Sequence, residues 1–170
     1  VLMTTPTAKL DEGNAYALSC GQKAGLPVLY CTNYDTPVDE LRRALTTGGF
    51  CGIKPYQNNS PSYIPANEMR IFDFLTPEHL EVVNELNAIV MLHIPRSKRL
   101  RDPVNLVQMM EIEKRYPDAK VIIAHIGRAY SPEDIGDAFE LIKTTKNLMF
   151  DFCANTLDVA MVECVKAVGP

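Results

Sequence analysis

The sequence lacks the features that define several large classes of protein. Its longest apolar runs reach about seven residues, far short of the roughly 20 that a membrane-spanning helix needs. Its basic residues form no stripe that would indicate nucleic-acid binding, and its formal net charge is −4. Its first residues lack the basic start and the long apolar segment of a secretory signal. We therefore expect neither a membrane nor a nucleic acid among its partners.

Two common motifs are also missing. No G-x-G-x-x-G or Walker-type sequence is present, which argues against a glycine-rich site for a dinucleotide or a phosphate. No C-x-x-C occurs, and the cysteine count of five is odd. Because a free cysteine packs as a small hydrophobe, Cys31, Cys51 and Cys153, in or beside predicted strands, are interpreted as buried thiols. Such thiols are typical of a reducing compartment, so we expect a cytoplasmic protein.

Two short apolar stretches organise the chain, and each carries a histidine near its end. They are residues 89–95 (IVMLHIP) with His93 and residues 121–127 (VIIAHIG) with His125. An apolar run of this length between chain-breaking residues predicts a strand that is buried on both faces. Two histidines at the tips of consecutive parallel strands would point to the same place, where they could share a metal or divide metal binding and proton transfer. The alternative is a pair of core histidines bonded to the backbone.

Predicted strands and helices alternate along the chain. Strands are expected at residues 1–5, 26–32, 50–56, 89–93, 121–125 and 148–153, with helices in the intervals and after the last strand. Four helices are predicted to begin where a capping residue precedes proline, at Thr36, Thr76, Asp102 and Ser131. Strict alternation of strand and helix predicts a parallel sheet with right-handed crossovers.

Two α/β architectures have this order of elements, a doubly wound open sheet and a (β/α)8 TIM-type barrel. The barrel is favoured because polar residues stand at the C-terminal tips of successive strands, where barrel enzymes build their sites. These residues are Lys54, His93, His125 and Asp151. A barrel normally has eight units and about 250 residues, whereas six units are visible here. We therefore expect one barrel domain over residues 1–170 that is incomplete at both ends.

The longest irregular stretch is residues 57–73, which follow the strand that carries Lys54. It contains several prolines, asparagines and serines, and aromatic residues such as Tyr63 lie within and around it. A loop of this length inside a compact domain is usually functional or disordered. The aromatic residues favour an ordered lid, and we expect it to lie over the C-terminal ends of the strands, next to His93.

Four segments resemble successive strands of the amidohydrolase superfamily. They are residues 50–55 (FCGIKP), 92–95 (LHIP), 116–127 (YPDAKVIIAHIG) and 147–152 (NLMFDF). They are most similar to the amidohydrolase-2 branch, which contains the aminocarboxymuconate-semialdehyde decarboxylase group. The resemblance covers roughly residues 45–170, and the segment 116–127 is its most specific part.

The resemblance implies a distorted (β/α)8 barrel with a divalent metal, for which zinc is expected and manganese is an alternative. It makes His93 the fifth-strand metal ligand and His125 the catalytic sixth-strand histidine, beside the metal-bound water. Asp151 matches the seventh-strand aspartate. The family's first-strand His-x-His pair and eighth-strand aspartate have no counterpart, and the remaining histidine, His79, lies on a predicted surface helix. We therefore expect a fragment whose 170 residues alone do not close a metal site.

Three basic residues are candidates for binding the substrate. Lys54 occupies the fourth-strand position, where some superfamily members carry a carboxylated lysine that bridges metals; here a substrate or supporting contact is the favoured role. Arg96 and Arg128 each follow one of the histidines and could hold a substrate carboxylate through two parallel hydrogen bonds. The alternative for both arginines is a solvated position on the surface.

The expected function is that of a metal-dependent hydrolase acting on a small carboxylate-bearing amide or lactone, or a non-oxidative decarboxylase that uses the same site. Two alternatives stay open, a Schiff-base lyase that uses Lys54 and a non-catalytic barrel fragment or pseudoenzyme. The expected partner is a small-molecule substrate, and a homo-oligomer is compatible with the sequence.

Overall fold

Short parallel strands alternate with helices in the computed structural model, which describes residues 1–6 and 9–170. The strands are β1 (Leu29–Thr32), β2 (Gly52–Pro55), β3 (Ile89–Leu92), β4 (Lys120–Ile123) and β5 (Met149–Phe150). The right-handed helices are α1 (Leu10–Ala24), α2 (Val38–Thr46), α3 (Pro77–Glu85), α4 (Pro103–Arg115), α5 (Pro132–Ile135), α6 (Ala138–Ile142) and α7 (Asp158–Val168). Within the described ranges, none of these helices has the length and apolar character that crossing a bilayer requires.

The strands of the described residues form one parallel sheet in chain order, from β1 to β5. This order confirms the predicted alternation of strand and helix. The predicted strand at residues 1–5 is reduced to a single parallel bridge between Leu2 and Val28. Leu2 donates to Pro27 O and accepts from Leu29 N–H, both at 2.8 Å, so this one residue makes the pairing with the edge of the sheet.

Three of the predicted N-caps are confirmed. Ser131 is the N-cap of α5, and its backbone N–H donates to Asp134 Oδ2 at 3.1 Å. The side-chain oxygens of Thr76 and Asp102 accept hydrogen bonds from backbone N–H groups in the first turns of α3 and α4, and a proline follows each cap. The prediction for Thr36 is wrong, because Pro37 is the N-cap of α2. Thr36 Oγ1 instead accepts from Asn33 N–H at 2.9 Å, which closes the turn before the helix.

The two faces of the sheet carry different side chains. Side chains at paired positions point to the same side, so Leu92 on β3 and Ile123 on β4 share one face, where both are fully buried in the hydrophobic core. The opposite face, which we call the inner face, would line the lumen of a closed barrel. Its successive strands carry Cys31, Lys54, Met91, Ile122 and Met149.

Two expectations about individual side chains are wrong. His79 lies on α3 as predicted, but its side chain is not on the surface: it is 2% exposed, and its Nε2 lies 2.8 Å from Thr36 O. Cys153, predicted to be buried, is exposed because β5 ends at Phe150 and leaves it in the following loop. Cys31 is buried and Cys51 is partly exposed.

The loop at residues 57–73 is attached at both of its ends. Asn59 Nδ2 donates to Thr32 O at the C-terminal end of β1 at 2.9 Å, and Ile71 N–H donates to Gln108 Oε1 on α4 at 2.8 Å. Between these attachments, Tyr63 projects into solvent with 83% of its surface exposed. The loop therefore begins at the C-terminal end of the sheet, and its position next to His93 stays a prediction.

Candidate active site

The two strand-tip histidines lie together at the C-terminal end of the sheet. His93 directly follows β3, and His125 comes two residues after β4. Their ring centroids are 5.2 Å apart, and the ring planes cross at 88°. The structure therefore brings into contact the two residues that the sequence marks as the chemical centre.

His93 offers a buried ring nitrogen. Its Nε2 has no hydrogen-bond partner among the described residues. Burial, together with the positive charges of Lys54 and Arg128, lowers the pKa of His93 to about 4. The ring is neutral at pH 7 as a result, and the neutral imidazole is the form that binds a metal ion.

His125 is held by the segment that follows β5. Its backbone N–H donates to Asp151 Oδ1 at 3.2 Å, its ring Nδ1 lies 2.5 Å from Cys153 O, and its carbonyl accepts from Asn155 Nδ2 at 3.1 Å. Because a carbonyl oxygen can only accept, Nδ1 carries the hydrogen. The Nε2 of the neutral ring then keeps its lone pair.

The direction in which the His125 side chain points is set by a turn and not by the alternation of the preceding strand. Regular strand alternation would put Val121 and Ile123 on the same face as His125, but the structure does not have this arrangement. Both residues are buried on the core face, opposite Val90 and Leu92 of β3. His125 breaks the alternation because its φ is +56°, and the following three residues also have positive φ.

Lys54 is the buried base of the inner face. Its side chain sits on β2 with only 5% exposure, and its Nζ lies 5.1 Å from the centre of the Tyr56 ring. Burial lowers the pKa of Lys54 to about 8, although the charges of Asp151 and Cys31 act in the opposite direction. A substantial fraction of neutral amine is therefore present near pH 8.

The two predicted substrate arginines have different surroundings. Arg96 Nε donates to Asp102 Oδ1 at 2.9 Å, beside the start of α4. Arg128 makes no ion pair within the described residues, and its Nη1 lies 3.4 Å from Ile94 O. Burial and the positive charge of Arg99 lower the pKa of Arg128. Arg128 is therefore the arginine that stands near His93 without a paired carboxylate.

Three further polar residues organise the site, and the sequence gives little sign of their roles. Asn105 on α4 donates from Nδ2 to Pro95 O at 2.8 Å and to Arg99 O at 3.0 Å, which braces the segment after His93. Asn155 braces the segment after His125 in the same way. Asp151 is recognisable as a strand-tip residue, but its bond to the His125 backbone is not.

A comparison with protein families identifies the chain. The amidohydrolase family model matches residues 7–170. The chain belongs to the amidohydrolase family. This match confirms the resemblance to the amidohydrolase-2 branch that the strand motifs indicate. No curated protein sequence matches the chain.

Three solved structures of this fold are similar to the present one. The first is 4-oxalomesaconate hydratase from Rhodopseudomonas palustris, with a TM-score of 0.65 and 17% identity, and the match covers 94% of this chain and 54% of that one. The second is 5-carboxyvanillate decarboxylase from Sphingomonas paucimobilis, with a TM-score of 0.61, 13% identity, and coverage of 95% of this chain and 59% of that one. The third is dihydroxybenzoic acid decarboxylase from a Polaromonas species with bound manganese and 2-nitroresorcinol, with a TM-score of 0.60, 18% identity, and coverage of 94% of this chain and 61% of that one. At these identities the likeness shows the fold, and it confirms the predicted α/β barrel class. The chain spans 54–61% of the length of these three proteins.

The described residues offer few side chains that could bind a metal ion. Amidohydrolases are generally metal-dependent, but residues 1–6 and 9–170 contain no group of three or more His, Cys, Asp or Glu side chains arranged to hold an ion. They do contain the buried, unpartnered Nε2 of His93, whose neutral ring fits a metal ligand. That the chain alone does not close such a site stays a prediction.

Proposed function

We propose that the protein is a metal-dependent hydrolase, or a non-oxidative decarboxylase on the same site, that acts on a small carboxylate-bearing molecule. The observation that carries this proposal is the buried Nε2 of His93, which has no hydrogen-bond partner among residues 1–6 and 9–170, in a ring whose centre lies 5.2 Å from that of His125. A core histidine that serves packing alone is normally hydrogen-bonded at its buried nitrogens. Within the described residues the buried Nδ1 of His79 also lacks a partner, but the Nε2 of that ring is bonded to Thr36 O. His93 differs because its ring lies against His125 at the strand tips, and this position suits a metal ligand.

The proposed metal ligand in this chain is His93, and zinc is the expected ion. Manganese is the alternative, and the related dihydroxybenzoic acid decarboxylase holds that ion. When bound, a divalent metal would polarise the substrate and lower the pKa of a water molecule toward 7. The neutral ring of His93 suits this role at any pH well above its pKa of about 4.

His125 is proposed to move the proton. Its Nδ1–H donates to Cys153 O, so the lone pair of Nε2 stays available to accept a proton. Once Nε2 is protonated, the ring carries a charge that the nearby Asp151 carboxylate, 3.6 Å from Nδ1, stabilises. Histidine suits such transfer because its ordinary pKa lies near neutrality.

The substrate is proposed to carry a carboxylate that binds Arg128. The Arg128 guanidinium is partly buried and has no ion pair within the described residues, so it is less stable than one in water, and an anionic ligand would remove this cost. Lys54 also lies near the ring of His93, and its amine would add a second positive charge to the site below pH 8. Arg96, which binds Asp102, is a weaker candidate for this contact.

A Schiff-base lyase that uses Lys54 is the second candidate function. The observation in its favour is the pKa of about 8, because a neutral amine is needed to attack a carbonyl carbon. The two functions are separated by borohydride treatment in the presence of a keto acid. Covalent trapping of substrate on Lys54 would favour the lyase.

The proposed function is tested on the full-length protein with and without its metal. The protein is stripped with a chelator, and amides, lactones and carboxylic acids are screened before and after zinc or manganese is restored. We expect turnover of a carboxylate-bearing compound only in the restored protein. Equal turnover in the stripped and restored samples would exclude metal-dependent chemistry.

A further inference from the structure

The turn after β4 has a backbone conformation that its residues disfavour. His125, Ile126, Gly127 and Arg128 have φ values of +56°, +51°, +60° and +62°. A left-handed conformation costs roughly 1–2 kcal/mol for each residue that has a Cβ atom, and a β-branched residue such as Ile126 is rarely found there. The turn therefore needs contacts from outside to persist.

This left-handed turn carries two side chains of the candidate site, those of His125 and Arg128. Residues three apart in a single helical turn lie on the same side of it. His125 and Arg128 stand at this spacing: the His125 ring lies 5.2 Å from the His93 ring between centroids, and Arg128 Nη1 lies 3.4 Å from the carbonyl oxygen of Ile94, the residue after His93. The turn therefore presents both groups toward the segment that carries His93, and a change in the turn would move both.

Asn155 connects the beginning and the end of the turn. Its Nδ2 donates to His125 O at 3.1 Å and to Ala129 O at 3.0 Å, and its Oδ1 accepts from Leu157 N–H at 2.9 Å. The side chain is 5% exposed. No other side chain of the described residues donates to either carbonyl, so the loss of Asn155 would remove the side-chain donors at both ends.

We propose that Asn155 is a positioning residue: it holds the left-handed turn and thereby sets the directions of the His125 ring and the Arg128 guanidinium. The hydrogen bond from His125 Nδ1 to Cys153 O depends on this direction, so Asn155 also fixes which ring nitrogen carries the hydrogen. The catalytic consequence of this role rests on the proposed function. The effect on the ring does not.

The test uses three variants of the full-length protein. Asn155→Ala removes all three hydrogen bonds of the side chain, whereas Asn155→Asp keeps the acceptor for Leu157 N–H and removes the two donors. Asn14→Ala is the matched control, because Asn14 is equally buried and binds Cys31 N–H and O at the end of β1. Nitrogen-15 spectra of the histidine rings report the hydrogen position on His125 in each variant.

We expect His125 to carry its hydrogen on Nδ1 in the wild type and in Asn14→Ala. In both Asn155 variants the Nδ1–H signal should give way to a mixture that contains the Nε2–H form, and turnover should fall at least about tenfold with metal content retained. An unchanged His125 ring in both Asn155 variants would overturn the proposal. The same shift of the hydrogen from Nδ1 to Nε2 of His125 in Asn14→Ala would also overturn it, since the shift would then result from general destabilisation.

A measurement on the wild-type protein covers the case in which the Asn155 variants do not fold. Both Nδ2 hydrogens of Asn155 should exchange with solvent at least about 100-fold more slowly than those of the exposed Asn67, because both are bonded to backbone carbonyls. Exchange as fast as in Asn67 would overturn the proposal. If the ring of His125 responds as expected but the wild type shows no metal-dependent turnover, the positioning role stands and the proposed function fails.

Discussion

The three histidines of this chain occupy three different environments, and these environments distinguish the roles that we propose for them. His79 lies inside α3 and binds Thr36 O, which is a structural contact. His125 has its Nδ1 fixed on Cys153 O and its Nε2 left to exchange a proton. His93 has a buried Nε2 without a partner among the described residues, as has the Nδ1 of His79, but the ring of His93 also contacts His125 and its pKa is about 4. The third environment is the one that suits a metal ligand.

Lys54 should cost the protein stability at neutral pH. Its folded-state pKa of about 8 lies below the ordinary value of 10.5, so the unfolded chain binds more protons between these limits. The penalty is present in full below pH 8 and disappears as the pH rises toward 10.5. Lys54→Met should therefore raise the free energy of unfolding by roughly 1–3 kcal/mol at pH 7, and the gain should shrink at pH 10.

Urea unfolding of Lys54→Met at both pH values measures this change, with the exposed Lys23→Met as the control. The control should change the stability by less than about 0.5 kcal/mol at either pH. A gain for Lys54→Met that is the same at pH 7 and pH 10 would show that it does not come from the buried charge.

Arg128 and Arg96 should respond differently to the loss of their charge. Arg128→Gln removes a cation that has no ion pair within the described residues, so it should raise KM for a carboxylate substrate by about 10- to 100-fold with little loss of stability. Arg96→Gln breaks the contact with Asp102 and should destabilise the protein without a comparable change in KM. Steady-state kinetics and urea unfolding of both variants test these expectations. A large rise in KM for Arg96→Gln, with KM unchanged in Arg128→Gln, would assign the substrate carboxylate to Arg96.

The turn at His125–Arg128 depends on Gly127. Its φ is +60°, and a Cβ atom there would lie 2.6 Å from Leu100 Cδ1 and 3.1 Å from Ile94 Cδ1. Gly25 has nearly the same φ of +65°, but a Cβ atom there meets nothing within 4 Å. The two glycines therefore separate the cost of the backbone conformation from the cost of the steric contact.

Gly25→Ala should lower the free energy of unfolding by about 1 kcal/mol, since only the left-handed conformation opposes it. Gly127→Ala should lower it by roughly 2–4 kcal/mol and should also reduce turnover, because the turn that carries His125 has to shift. Urea unfolding and activity measurements check both. Equal losses of stability in the two variants would mean that the turn adapts freely to a side chain.

The strands and helices around the site are largely predictable from the sequence, whereas the turn is not. Apolar runs that end at Pro95 and Gly127 place both histidines near strand tips, and proline after Thr76 and Asp102 locates two helix starts. These signals lie within a few neighbouring residues. A positive φ at Ile126 contradicts the preference of that residue and depends on Asn155, nearly 30 positions later in the chain. Local patterns carry no information about such a contact.

The order of strands and helices along the chain determines where the candidate site lies. Because the sheet is parallel and its strands follow chain order, every strand delivers its C-terminal tip to the same edge. Lys54, His93 and His125 reach that edge from three neighbouring strands, and the segment after β5 supplies Asp151 beside them. Strand order alone brings these residues to one edge, so their common location is predictable from the sequence. Their hydrogen bonds require the structure.

The division of roles between His93 and His125 is tested most directly by the metal content of two purified variants of the full-length protein. Our account predicts that His93→Ala comes out without bound zinc or manganese and without activity. It predicts that His125→Ala keeps most of its metal and loses about 10²- to 10⁴-fold in turnover, which is the usual effect of losing a proton-transfer group. A metal-free His125→Ala together with a fully loaded His93→Ala would contradict it.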